Sequence, residues 1–359
     1  MKTAKRILAL ALVCLMVLSL TACHKKGEIA VKINDYEFTS GYYACALVFA
    51  DTEARAIVEE NLDEDEDATD IDYYKHKVED TDYVKWVEDT ALTNLKAIAA
   101  YKENCEQNKL ELEDETVELA RSNAEYLWDS YGYGLLLEPN GVSKQTFIDY
   151  NTDSYYADLY FDFLYGAEGV KAIAAEEVSR ELTDNYVLVN MIEVSFSEMA
   201  DSQKTEAREK IVGYETALKS GSKTFEEIYL EHNDLSADEH THDKAEEGEL
   251  EPQDHHATVL GNEDTDYASD YFEDAKEMKM GEVKLITLEE DAGLVLLVKK
   301  DIAADPYYLD VLDTTLRNAL KGEEFYEDAA EYAEKMKTTV KKSAVKQFKV
   351  KKIEYPEGY

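Results

Sequence analysis

Tyr186-Val187-Leu188-Val189-Asn190-Met191-Ile192-Glu193-Val194-Ser195-Phe196 is the stretch on which the fold turns. Upstream of it apolar residues recur at helical spacing; here β-branched and aromatic residues crowd into a short run that reads as a buried strand. Downstream, Ala200–Ser220 has an amphipathic helical pattern and Thr224–His232 a shorter one. A polar loop crosses 233–256, and helical spacing resumes near Tyr267. Val283–Thr287 and Gly293–Lys299 read as strands separated by an acidic turn, and a long helix is expected after Pro306. Helices flank this mixture on both sides, so the fold class is α+β: a mostly helical domain from both ends of the chain, with an α+β domain inserted.

The upstream half begins with Ile29–Phe38, which alternates like an edge strand and ends at a Thr39-Ser40 helix cap. Helical periodicity runs from there to about Glu60, then over 80–107 and 114–131. In the last of these, Val117, Ala120, Ala124, Leu127, Trp128 and Tyr131 share one face and read as core. Ser143 caps a helix carrying Phe147 and Tyr150, and an aromatic helix follows through Tyr155, Tyr160 and Phe163. The C-terminal Gln347–Glu354 alternates like a strand.

Composition narrows the function. The chain has 359 residues, 38 Lys+Arg, 79 Asp+Glu and a formal charge of −41. Nucleic acid is a poor partner for such a surface, because a phosphate backbone needs clustered bases. Yet 45% apolar residues and 26 Tyr supply a real core. Four Cys in this length rule out a disulfide-stapled scaffold. Cys45 and Cys105 sit within helical patterns and read as buried thiols, with a bridge between them left open.

The N-terminus reads as an address. Lys2, Lys5 and Arg6 precede an apolar run, Ile7–Leu20, too short for a comfortable membrane span. It ends Leu20-Thr21-Ala22-Cys23, which resembles the bacterial lipobox, where the thiol takes the diacylglycerol. Two acyl chains anchor stably. Processing at Cys23 removes three bases and no acid, deepening the charge from −41 to −44. The expected location is the extracytoplasmic face of a bacterial membrane.

Val31-Lys32-Ile33-Asn34-Asp35-Tyr36-Glu37-Phe38-Thr39, Ala174–Val178 with Asn185-Tyr186, Gly221 followed by Phe225-Glu226-Glu227-Ile228, and Phe272-Glu273-Asp274-Ala275 followed by Met280-Gly281-Glu282-Val283 occur in a fixed order. Together they resemble the PrsA/SurA-type foldases, over nearly the whole mature chain. The resemblance implies a signal peptide at 1–22, a tether at 23–28, a helical chaperone domain at 29–185, a parvulin-like peptidyl-prolyl isomerase domain at 186–302, and a chaperone-completing segment at 303–359. It implies unfolded secreted polypeptides as partners and no cofactor. Prolyl isomerisation needs only a dry pocket that binds the twisted amide better than the planar one.

The parvulin set of two His plus an acid is only partly matched. Asn190 and Val295 stand at the His positions, Asp234 at the acidic one, and Phe272 at a wall of the proline pocket, with Met191 beside Asn190. Gly248-Glu249-Leu250-Glu251 is an echo of a Gly-Asp-Leu-Gly motif. The implied domain is therefore a degenerate isomerase serving as a binding lobe, with Asp234 and Asn190 as the catalytic candidates and Phe272, Met191 and Val295 as substrate contacts. An active isomerase and a metal- or solute-binding lipoprotein are the alternatives.

The third alternative draws on His240, His242, His255 and His256, set among carboxylates. Imidazole with carboxylate suits Zn²⁺ or Ni²⁺, but no two His are four residues apart, so a solvated loop is the plain reading and no metal is assigned. Asp63, Asp65 and Asp67 resemble the start of an EF-hand loop, but Ala68 and Tyr74 replace the needed Gly and Glu. The Lys-rich C-terminal segment reads as a solvated face, a partner for the acidic N-terminal half, or a contact for anionic lipid or wall polymer.

Overall fold

A computed structural model describes residues 27–62, 71–197, 199–236, 250–288 and 292–357. In chain order the elements are β1 (Ile29–Ile33), β2 (Tyr36–Thr39), α1 (Ser40–Glu60), β3 (Lys77–Val78), β4 (Thr81–Asp82), α2 (Tyr83–Asn108), α3 (Asp114–Ser130), α4 (Tyr133–Leu137), α5 (Lys144–Tyr165) and α6 (Ala175–Asn185). Then come β5 (Tyr186–Ser195), α7 (Asp201–Ser220), α8 (Phe225–His232), β6 (Ala257–Gly261), α9 (Phe272–Glu277), β7 (Val283–Thr287) and β8 (Gly293–Lys300). The chain closes with α10 (Pro306–Val311), α11 (Asp313–Glu334), β9 (Thr338–Val340) and α12 (Lys342–Val345). The class is α+β. The chain divides into two compact units, one of residues 1–170 with 323–359, the other of 171–322.

In the first unit the opening residues are not one edge strand. Asn34-Asp35 turns the chain, with Asn34 at φ 49°, a left-handed conformation that Asn tolerates. β1 then becomes the middle of a three-stranded antiparallel sheet, β2-β1-β9. Val31 and Ile33 are wholly buried because their face of the sheet packs into the core with residues of α1 and α2, while Lys32 between them is exposed on the other face. The Thr39 hydroxyl accepts from the Tyr42 amide and starts α1. The expected 80–107 helix begins at Tyr83, after the β3–β4 pair, and the two aromatic segments between 143 and 163 are one helix, α5, capped by Ser143.

The C-terminus differs from expectation in one respect. Gln347–Glu354 contains a 3-10 turn at Val350–Lys352, and the strand lies earlier, at Thr338–Val340. The Lys and apolar residues at 347–354 alternate, but Val350 alone is buried deeply, so no second apolar row supports a strand. Ala333, Met336, Ala344 and Val350 enter the same core as β1, α1 and α2, and so complete the first unit. Asp51 of α1 fastens this return: its carboxylate pairs with Arg55 at 3.1 Å and accepts from the hydroxyls of Tyr83 at 3.0 Å and Tyr355 at 2.7 Å.

The second unit is built on a four-stranded antiparallel sheet, β6-β5-β8-β7. Thr224 and Glu227 form a capping box that starts α8. β6 has no counterpart among the expected strands, since only Leu260 and Gly261 of its five residues are buried. Helical structure resumes at Phe272, later than expected, and the helix after Pro306 is interrupted at Leu312. Among the described residues, no helix is long and apolar enough to cross a membrane.

Candidate functional site

The period-2 alternation of β5 sorts the second unit's candidates onto opposite faces. Val187, Val189 and Met191 pack with Leu260, Phe272, Met278, Val295 and Leu297. Ile192 and Val194 pack with α7 and α8 through Ile211, Tyr214, Phe225 and Ile228. Asn190 belongs to the second row, so the structure places it away from Met191, Val295 and Phe272, which it does bring together. Asp234 follows α8 on the Asn190 side, exposed and at φ 54° in the turn after the helix.

Asn190 has a structural occupation. Its Nδ2 donates to Asp254 Oδ2 at 3.0 Å, and Lys300 Nζ reaches the same oxygen at 2.6 Å. Asp254 Oδ1 accepts from the His256 amide at 3.1 Å. Burial pushes the Asp254 carboxyl up, but the Lys300 and Asn190 hydrogen bonds outweigh it and hold it below its usual range. Asn190 thus joins β5 to the segment before β6. The signal in the sequence was present but distant: an Asp and a Lys, 64 and 110 positions away.

The other face carries polar groups that its apolar pattern does not mark: Lys284, opposite Leu297 and paired with Asp274 at 2.6 Å, and Glu193. Glu193 lies opposite Val295 across the β5–β8 ladder, as Met191 lies opposite Leu297. It is exposed, and its carboxylate acts on the Tyr271 phenol. Burial, then the Glu193 and Asp270 carboxylates, push the Tyr271 phenol up. Met191, Tyr271, Ile286 and Leu288 are only partly buried around the Phe272–Val295 core. This face offers apolar area with a carboxylate in its midst, and no imidazole among its described residues.

The first unit carries a second apolar surface. Ala120 and Ala124 bury α3 against the core, but Tyr131, expected there too, is 66% exposed because α3 ends at Ser130 and the chain turns. Leu119, Tyr126 and Leu135 are exposed with it, up to 68% for Leu135. Tyr126 and Tyr131 meet edge to face at 5.5 Å. Beside them a cleft of about 660 Å³ is lined by Trp128, Gly132, Gly134, Leu135, Glu138 and Pro139. Gly134 is required: a Cβ there would lie 2.7 Å from Trp128 Nε1.

A second cleft of the same size in this unit is polar, with Arg121, Asp149 and Asp153 in its lining. Asp153 is held by Lys102 at 2.6 Å and the Tyr42 hydroxyl at 2.7 Å. Cys45 and Cys105 are both free and buried, and burial pushes the Cys105 thiol up to about 11, so neither is a reactive thiolate.

Of the histidine candidates, His240 and His242 lie outside the described residues, as do Cys23, Asp63, Asp65, Asp67 and Gly248-Glu249. His255 is exposed, whereas His256 packs its ring 4.3 Å from that of Tyr229, so the adjacent pair diverges. Among the described residues no group of three or more His, Cys, Asp or Glu is placed to hold a metal.

No protein-family model matches the sequence, and no curated protein matches it. Among solved structures the chain is similar to foldase protein PrsA from Streptococcus pneumoniae, at 15% identity over 72% of this chain and 87% of that one, with a TM-score of 0.38. It is also similar to foldase protein PrsA from Lactococcus lactis, at 12% identity over 89% of this chain and 99% of that one, again with a TM-score of 0.38.

Proposed function

We propose that this protein is a lipid-anchored extracytoplasmic chaperone that holds unfolded secreted polypeptides, with the second unit acting as a binding lobe. The observation that carries this reading is the exposed Leu119–Tyr126–Tyr131–Leu135 surface beside the Trp128 cleft. Large apolar side chains exposed together mark interaction surfaces. Tyr rings give contact area while their hydroxyls tolerate water, which suits a shallow site that must release its cargo. The acid excess, −41 overall, keeps such a surface soluble by mutual repulsion.

The apolar face of the second unit supports the same reading. Glu193 beside Met191 and Tyr271 favours clients with a Lys or Arg next to an apolar residue. The test is suppression of aggregation of an unfolded secreted protein by the soluble chain. The double variant Tyr131→Ser, Leu135→Ser is expected to lose most of the effect with an unchanged unfolding transition; unchanged suppression overturns the proposal.

One observation favours the isomerase alternative: Phe272, Met191 and Val295 share one face of the sheet. On that face the polar groups are Glu193 and the Lys284–Asp274 pair, and Asn190 and Asp234 have no part. Prolyl isomerisation of a proline peptide at the uncatalysed rate removes this alternative.

A further inference from the structure

Between Lys335 and Lys352 the sign of the charge reverses: eight Lys occur with no acid among them, in a chain of net charge −41. All eight are exposed. They do not belong to a loose tail. Met336, Ala344 and Val350, interspersed among them, are buried in the first unit's core and hold the backbone in place. Lys341 pairs with Glu28 at 2.5 Å and Lys335 approaches Glu331 at 3.9 Å. Among the described residues no ion pair engages Lys337, Lys342, Lys346, Lys349 or Lys352.

The position of this patch says what meets it. β9 pairs with β1, and the Lys341 amide donates to the Ala30 carbonyl at 2.8 Å. Glu28, the partner of Lys341, is five residues from Cys23. Five residues span at most about 17 Å of extended chain. A diacylglyceryl group on Cys23 therefore keeps Lys341 and its neighbours close to the bilayer surface. At physiological ionic strength charges are screened beyond about 8 Å, so the distant carboxylates do not cancel the patch there.

We infer that the Lys335–Lys352 segment docks on the anionic phospholipid headgroups of the bilayer that holds the anchor, and so fixes which side of the first unit faces the membrane. The acyl chains supply retention, and the lysines supply orientation. The inference rests on the anchoring part of the proposed function, and the two fail separately in the following experiment.

The lipidated full-length chain is placed in bilayers of phosphatidylcholine alone or with 30% phosphatidylglycerol, and lysines are acetylated and read by mass spectrometry. Lys337, Lys342, Lys346, Lys349 and Lys352 should be labelled at least threefold more slowly with phosphatidylglycerol, and 0.5 M salt should abolish the difference. Equal labelling in the two bilayers overturns the inference. The intact mass reports on Cys23 independently. If no lipid is attached, the anchoring reading fails, and the patch is judged on the unlipidated chain by sedimentation with the same vesicles. There, replacing the five lysines by Gln should weaken binding by about fivefold per lysine while leaving the unfolding midpoint unchanged. Tighter binding to a soluble glycerol-phosphate polymer than to vesicles also overturns the lipid assignment.

Discussion

Replacing Asp51 by Ala should loosen the return of the C-terminus into the first unit. Asp51 is wholly buried and ties three groups together: the Arg55 guanidinium at 3.1 Å, the Tyr83 hydroxyl at 3.0 Å and the Tyr355 hydroxyl at 2.7 Å. Arg55 also stacks between the rings of Tyr73 and Tyr355, at 4.3 and 3.9 Å. Removing one partner of a buried ion pair costs about 3–5 kcal/mol. The lower end applies here, about 3 kcal/mol, because Arg55 keeps 22% of its side chain exposed and both hydroxyls keep another oxygen within reach. Tyr355→Phe, which deletes one hydrogen bond to a charged acceptor, should cost about 1.5 kcal/mol. Both tryptophans, Trp86 and Trp128, lie in the first unit, so their fluorescence in urea reports that unit alone. With a slope of about 3 kcal/mol per M, Asp51→Ala should move the midpoint down by about 1 M. The double variant should fall short of the sum by about 1 kcal/mol, since both changes break the same contact. A shift below about 0.3 M, or full additivity, would refute the claim that this network clamps the C-terminus.

Burial, then Lys210, lowers the pKa of His232 below 6.5, so the unfolded chain binds its proton first as pH falls. The second unit should therefore lose stability as pH drops through and below 6.5, by at most about 1.4 kcal/mol per pH unit, and His232→Leu should flatten this dependence in the far-UV unfolding transition. Asp254 has a folded pKa below 3.8, so its stabilisation is complete above that value and is lost as pH falls through the lower folded one; Asp254→Asn should remove this acid sensitivity and reduce stability at neutral pH. Gly134→Ala forces the Trp128 indole to move, which should cost about 1–3 kcal/mol and shift the tryptophan emission; an unchanged spectrum counts against the tight approach. Glu193→Gln should weaken binding of Lys-flanked apolar peptides, strengthen that of Glu-flanked ones and leave Ser-flanked ones unchanged, read by fluorescence anisotropy.

Much of this architecture was legible from local pattern. Apolar spacing located α1, α2, α3, α7 and α8, and β5, β7 and β8 stood out as dense apolar runs, because each segment's own residues state the period of the element they form. Ser143 and Thr39 announced helix starts through chemistry that acts over three residues. β6 and β9 were not legible. Each has few buried residues and owes its strand geometry to hydrogen bonds from a partner distant in sequence.

The candidate site shows the same division. The sequence by itself determined that a Leu20-Thr21-Ala22-Cys23 stretch resembling a lipobox precedes the first strand, that acids outnumber bases two to one, and that Met191, Phe272 and Val295 belong to apolar segments. These are properties of composition and short-range order. Only the tertiary structure decided that Asn190 turns from Met191 towards Asp254, that Glu193 stands opposite Val295, and that the terminal lysines lie beside the strand that follows Cys23. The physical reason is register. Which face a strand residue takes, and which residue it meets across the ladder, is set by pairing between segments about 100 to 300 positions apart, and no local period encodes that choice.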